Sequence, residues 1–268
     1  MKRIFVLITS LVIGVAVQAG EPVPRLRLAT TTSTLNSGLL DRLNPVFEKQ
    51  CGCHVDVIAV GTGKALRLGA NGDVDVVLVH APEAEERYLA EGAFVDRRPV
   101  MHNDFVIVGP KSDPARLRQQ KSAAAALKRL AAVRNAFISR GDDSGTNKKE
   151  IALWRQIGIN PSGRWYLSVG QGMGATLQIA SEKQGYTLTD RGTWLAMKDR
   201  LDLEIAFEGD PLLYNPYHVM MVNPQRYPDV QVDLARAYID FLTGPEGQRI
   251  IAEYRLHGEQ LFHPDALD

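Results

Sequence analysis

Five consecutive hydroxyl residues, Thr30 to Thr34, follow a short apolar stretch and precede an amphipathic one. Each offers a donor, and such small side chains let a ligand approach the backbone. One Ser or Thr ahead of a helix serves as an N-cap. Five exceed what capping needs, so Thr31, Thr32 and Ser33 are assigned to ligand contact. Gly61-Thr62-Gly63 repeats the placement, between an apolar run and a short helical pattern. Its glycines would let a ligand reach the backbone, although a tight turn explains them equally well. A third segment, Ser139 to Thr146, carries Arg140, Ser144 and Thr146. The Arg140 guanidinium is a planar fork of donors suited to an oxyanion, and the alternative is a surface pair with a neighbouring Asp. Asp142 or Asp143 would repel an anion directly, so one of them is expected to orient Arg140 or to cross and pair with the other lobe. The fourth segment, Gly170 to Gly174, places Gly172, Met173 and Gly174 at a helix start. They would supply backbone amides, or form a flexible connection in which Met173 simply packs.

The shared design is a strand, a loop of Gly, Ser or Thr, then a helix. Helix starts leave backbone N–H groups unpaired and carry partial positive charge. Converging starts therefore make an anion site with little formal charge. Such a wall of donors would disfavour an anion that still carries its own proton. Catalysis has no support: no Gly-x-Ser-x-Gly elbow, His-Glu-x-x-His pair or phosphate-binding Gly-x-x-x-x-Gly-Lys-Thr segment is present. No catalytic residue, cation site or cofactor is assigned. The histidines, His54, His80, His102, His218, His257 and His263, are scattered and read as surface or structurally satisfied groups. Trp154, Trp165 and Trp194 read as core anchors.

The elements that must position these loops alternate. Arg25 to Ala29, Val55 to Val60 and Val74 to Val79 read as strands; Leu39 to Gln50, Lys64 to Leu68 and Pro82 to Glu91 read as helices. That order predicts a doubly wound α/β unit, whose ligands sit beyond the carboxyl ends of the strands. Strands at Phe105 to Val108, Ala136 to Ser139, Tyr186 to Leu188, Leu203 to Phe207 and Tyr217 to Val222 follow. Helices are expected at Ser112 to Val133, Lys148 to Ile157, Ala175 to Lys183, Asp233 to Thr243 and Glu246 to Tyr254, with Asp190 capping another that runs through Lys198. The last two helices lack strands of their own and must pack on an earlier sheet. The plan is two doubly wound α/β lobes joined by a two-strand hinge: residues 20–103 with 217–268, and residues 104–216.

Composition agrees with a folded binding protein. The chain has 268 residues, 45% hydrophobic and 23% charged, with a formal net charge of zero and no basic cluster, which argues against nucleic acid as a partner. Lys2 and Arg3, the apolar Ile4 to Val17 and the small residues before Gly20 read as a signal peptide over residues 1–19. Export would place Cys51 and Cys53 in an oxidising compartment. A disulfide across Gly52 closes a very small ring that Gly52 would tolerate; two free thiols in a surface turn are the alternative.

Several strings together carry a family resemblance. Leu28-Ala29-Thr30-Thr31-Thr32-Ser33 resembles the Thr-Thr-Thr-Ser signature of the tungstate-binding TupA family. Val57 to Leu66, Asp73 to Val76, Val79 to Pro82, Asn103-Asp104-Phe105, Phe137 to Thr146, Gly172-Met173-Gly174 and Tyr186 to Arg191 are similar to it as well. The likeness spans nearly all of the chain after the signal peptide. It implies a type II periplasmic binding protein, a monomer that hands a tetrahedral oxyanion, tungstate or next molybdate, to the permease of an ABC transporter at the inner membrane. It also implies that Thr31, Thr32, Ser33, Arg140 and Thr146 contact the anion. A receptor for another anion or an organic solute, or an exported two-lobed enzyme, are the rival readings. The first would need an apolar pocket, the second a covalent cofactor or a catalytic acid.

Overall fold

A computed structural model describes residues 22–266. The segment read as a signal peptide, residues 1–19, lies outside them. Strand β1 (Arg25–Thr31) is central: it pairs in parallel with β2 (His54–Val60) on one side and β3 (Val76–Val79) on the other. Leu26, Leu28 and Ala29 of β1 and all of β3 are buried, as expected for strands covered on both faces. Helices α1 (Thr32–Asn36), α2 (Leu40–Cys51), α3 (Thr62–Ala70) and α4 (Pro82–Ala90) lie between or after these strands.

The next strand, β4 (Phe94–Gly109), is far longer than the Phe105 to Val108 that apolar patterning marks. Its first half holds Asp96, Arg97, Arg98 and Pro99, which hide the strand from a hydrophobicity reading. Two register irregularities, at Val95/Arg98 and Pro99/Met101, accommodate that stretch. The expected helix from Ser112 to Val133 is also corrected: only α5 (Ala123–Val133) is α-helical, preceded by a 3₁₀ turn at Leu117–Gln119. Asp113 and Arg116 take left-handed backbone conformations, and the Asp113 carboxylate accepts from Leu117 N and Arg118 N. This local bonding competes with a helix. Ser122 then caps α5 by accepting from Ala125 N at 3.1 Å.

Strand β5 (Phe137–Ser139) leads to α6 (Gly145–Gln156), and β6 (Tyr166–Ser168), which apolar patterning misses, pairs with β5 in parallel. Then come α7 (Met173–Glu182), β7 (Thr187–Asp190), α8 (Arg191–Met197), β8 (Glu204–Phe207) and β9 (Tyr214–Val222). Asp190 caps α8 as expected, accepting from Thr193 N at 2.8 Å. The chain ends with α9 (Val232–Thr243), α10 (Pro245–Glu253) and three short strands: β10 (Arg255–Leu256), β11 (Glu259–Gln260) and β12 (His263–Pro264).

The large sheet runs β12-β4-β9-β3-β1-β2. It is mixed, because β9 is antiparallel to both β3 and β4. The first half of β4 belongs with β9, while its second half pairs with β7 and β8. One continuous strand thus crosses from one packing region to another, beside β9, at Asn103↔Asn215 and Asp104↔Tyr214. Phe47 of α2 meets Tyr238 and Phe241 of α9, so the C-terminal helices cover the first sheet. A separate core around Phe137, Trp154 and Tyr186 lies beyond the crossing. Arg191 locks the crossing through Asp104 at 2.5 and 2.7 Å and Glu208 at 2.5 Å.

Candidate functional site

Because β1, β2 and β3 are parallel and in register, Thr31↔Val60 and Thr30↔Leu78, the chain leaves all three at one edge. Thr32 to Thr34, Gly61 to Gly63 and His80 emerge there. Thr30 donates its hydroxyl to Leu78 O at 2.8 Å, which ties β1 to β3. Thr31 caps α1: its Oγ1 accepts from Thr34 N at 3.2 Å and meets Thr34 Oγ1 at 2.7 Å and Ser33 Oγ at 3.0 Å. Thr30, Thr31 and Thr34 are buried, Thr32 is exposed and Ser33 half-buried. The five hydroxyls therefore divide between building the turn and facing outward.

Three helices begin two or three residues earlier than hydrophobic spacing predicts, and the added residues are the candidate loops. Gly61, Ser144 and Gly172 stand at the N-caps of α3, α6 and α7, each in extended backbone with ψ of 148°, 170° and 161°. Thr62, Gly63, Gly145, Thr146, Met173 and Gly174 thus belong to first turns, where N–H groups lack helical acceptors. Ser144 Oγ caps α6 by accepting from Asn147 N at 3.3 Å. The side chain of Met173 is buried in the core, and Gly174 lies against Met197, so this loop offers its backbone.

The loops on the two sides of the crossing meet. A methyl group built on Gly145 would stand 3.3 Å from Thr62 Oγ1 and 3.3 Å from His80 Cε1. The third and fourth loops are joined as well: Gln171 N donates to Arg140 O at 3.2 Å, and Val169 N to Ser139 O at 3.0 Å. Gly141, at φ 62°, packs against Ser168 and Gly170, leaving no room for a side chain. Ser33 sits beside the Tyr217 hydroxyl; burial, joined by Asp190, drives that phenol up, opposed by Asn215, Asn103 and Ser33. Tyr217 stacks on His80 with ring centroids 4.6 Å apart. A chain of contacts therefore links Ser33, Tyr217, His80, Thr62 and Gly145.

Arg140 pairs with Asp142, with Nε at 3.1 Å and Nη2 at 2.5 Å from Oδ2. The two side chains are 17% and 21% exposed, and the pair forms in a loop where Gly141, Asp142 and Asp143 are exposed residues, so the expected pairing with a neighbouring Asp is present. The remaining nitrogen, Nη1, makes no hydrogen bond among the described residues. Burial would raise the Asp142 carboxyl, but hydrogen bonds from Ser144 and Arg140 and the guanidinium charge hold it below the usual range. Asp142 also accepts from Ser144 N at 3.2 Å and Ser144 Oγ at 2.6 Å, fixing Arg140 to the start of α6. Behind this loop, buried Glu150 receives Ser139 Oγ at 2.5 Å, Tyr166 Oη at 2.7 Å and Trp154 Nε1 at 3.0 Å.

His80 escaped the sequence reading. Its ring is held by Asn215, from Nδ1 to Oδ1 at 2.9 Å, and its Nε2 is buried with no partner among the described residues. Its position directly after an apolar parallel strand was the available signal.

Helix starts and hydroxyls of this kind are the groups that suit capture of a small anion. A family model described as the PBP superfamily domain matches residues 16–246. The tungstate-binding protein TupA of Peptoclostridium acidaminophilum is 47% identical over 243 residues, covering 89% of this chain and 85% of that protein. A structure described as the tungstate ABC transporter from Geobacter sulfurreducens is 55% identical at TM-score 0.79, over 86% of this chain and 98% of that one. The tungstate-binding protein TupA from Desulfovibrio alaskensis G20 is 46% identical at TM-score 0.83, over 91% and 100% of the two chains. The chain belongs to the TupA family of tungstate-binding proteins, within the PBP superfamily.

Proposed function

We propose that the chain captures a tetrahedral oxyanion, tungstate first and molybdate next, and delivers it to an ABC transporter permease. It acts in the periplasm as a monomeric binding protein without catalysis, exported by residues 1–19. Residues 20–103 with 217–268 form one lobe and residues 104–216 the other, closing about the paired strands β4 and β9. The observation that carries this reading is the contact of Gly145 with Thr62 and His80, which brings the starts of α3 and α6 to one place across the crossing. The kinship with tungstate-binding proteins supports the choice of anion.

Thr32, Ser33, Thr62 and Thr146 present hydroxyls, the first turns of α3, α6 and α7 present N–H groups, and Arg140 presents its free nitrogen. Thr31 serves by holding the first loop in shape. Hydrogen bonds to a charged group each contribute roughly 1.5–3 kcal/mol. Six to eight of them offset the loss of hydration. Closure of the lobes then marks the loaded state for the permease. Isothermal titration with tungstate, molybdate, sulfate and a panel of amino acids tests the reading. Saturable binding of tungstate is expected; an amino acid binding in its place would refute it.

A further inference from the structure

Among the described residues, His80 Nε2 is the buried side-chain polar atom left without a hydrogen-bond partner. It lies on β3's exit from the sheet, against Gly145 of α6 and beside Thr62 of α3. Its proton is placed by its neighbours. Asn215 Nδ2 donates to Asn103 Oδ1 at 2.6 Å and to the Tyr217 oxygen at 3.3 Å. Asn215 Oδ1 is therefore the acceptor 2.9 Å from His80 Nδ1, and Nδ1 carries the hydrogen. In the neutral ring Nε2 then presents a bare lone pair. A lone pair repels an oxyanion, whereas an N–H at the same atom binds it.

Several of the charges around the ring are already matched by neighbours of opposite sign. Arg140 is matched by Asp142. On α4, Glu85 is matched by Arg97 at 2.8 Å and bonded to His218 at 2.9 Å. Asp190, at the end of β7, adds negative charge and is held by Thr193. On α6, Lys148 is turned to Asp143 at 2.7 Å and Lys149 to Tyr214 O at 3.1 Å. On β9 the ring meets the neutral phenol of Tyr217, and α3 contributes the Thr62 hydroxyl and, one turn on, the charge of Arg67, whose Nη1 would stand 3.6 Å from a methyl built on Gly63.

Resting on the function proposed above, we infer that the cleft binds its dianion together with one proton, carried at His80 Nε2. The neutral ring and the dianion take one proton from solvent and become an imidazolium paired with the anion. In the empty protein, burial holds the ring below the ordinary imidazole range, against the Asn215 hydrogen bond and the charges of Asp190 and Glu85. The bound anion favours the protonated form and raises it. Between the two values binding takes up a proton, so affinity falls as pH rises, by up to about tenfold per pH unit. Below the lower value the ring is already charged, and this dependence vanishes.

Titration of the purified chain with sodium tungstate at pH 7.5, in Tris and in HEPES, counts the protons from the dependence of heat on buffer ionisation enthalpy. The expected uptake is close to one proton per anion, falling near zero in His80→Gln. No uptake by the wild type, or unchanged uptake in His80→Gln, overturns the inference. Should the variant not fold, the wild-type affinity between pH 6.5 and 8.5 decides: a steady fall supports it, and a flat profile overturns it. A wild type that binds no tungstate in either buffer overturns the proposed function itself, which is a distinct result from binding without proton uptake.

Discussion

Gly145 and Thr62 lie 83 positions apart in sequence, yet a side-chain methyl on Gly145 would stand 3.3 Å from the Thr62 hydroxyl oxygen. That approach joins the start of α6 to the start of α3, with His80 filling the corner between them. A Gly145→Val substitution should obstruct this approach while leaving α6 formed, since Gly145 is not held at positive φ. Tungstate affinity is expected to fall at least about tenfold, equivalent to about 1.4 kcal/mol, with a melting temperature close to wild type. Titration and thermal melting of the same sample check it; unchanged affinity would show that the two helix starts do not share a ligand.

Arg140 and Asp142 act as a unit, and this makes the consequences of mutation non-additive. Arg140→Ala removes a donor and leaves the Asp142 carboxylate uncompensated beside the anion. The loss of affinity should exceed about 100-fold, roughly 2.7 kcal/mol, with little change in the melting of the empty protein. Adding Asp142→Asn to Arg140→Ala should recover part of that loss. A double variant as weak as the single one would mean that Asp142 only positions the loop.

The Cys51–Cys53 disulfide forms across Gly52, which takes φ 63° at the end of α2. It stands at the amino end of β2, whereas Gly61 follows the carboxyl end, roughly 20 Å further along the strand. Reduction should therefore cost stability, on the order of 1–2 kcal/mol for so small a loop, without altering tungstate affinity. Melting and titration with and without dithiothreitol separate these effects. A change in affinity on reduction would contradict the separation of disulfide and cleft.

Much of this arrangement could be read from residue order because the decisive signals are local. The β3 run is apolar throughout since both its faces are covered, and Ser144 and Asp190 announce helix starts through capping. The reading failed where long-range contacts decide. Asp96 to Pro99 remain in a strand because β9 supplies the pairing. Asp113 breaks the expected long helix through its own hydrogen bonds, aided by Tyr186 Oη at 2.8 Å. His80 looked like one scattered histidine because Asn215, the partner that orients it, is 135 positions away. Met173, by contrast, was open to two readings, and its side chain went to the core.

Diffraction from crystals grown with sodium tungstate, recorded at the tungsten absorption edge, locates the anion without assumption. One strong anomalous peak is predicted, placed so that the oxygens around it lie about 3 Å from donors of Ser33, Thr62, Arg140 and the first turn of α6. A peak elsewhere, or none at saturating tungstate, would contradict the shared cleft on which the account rests.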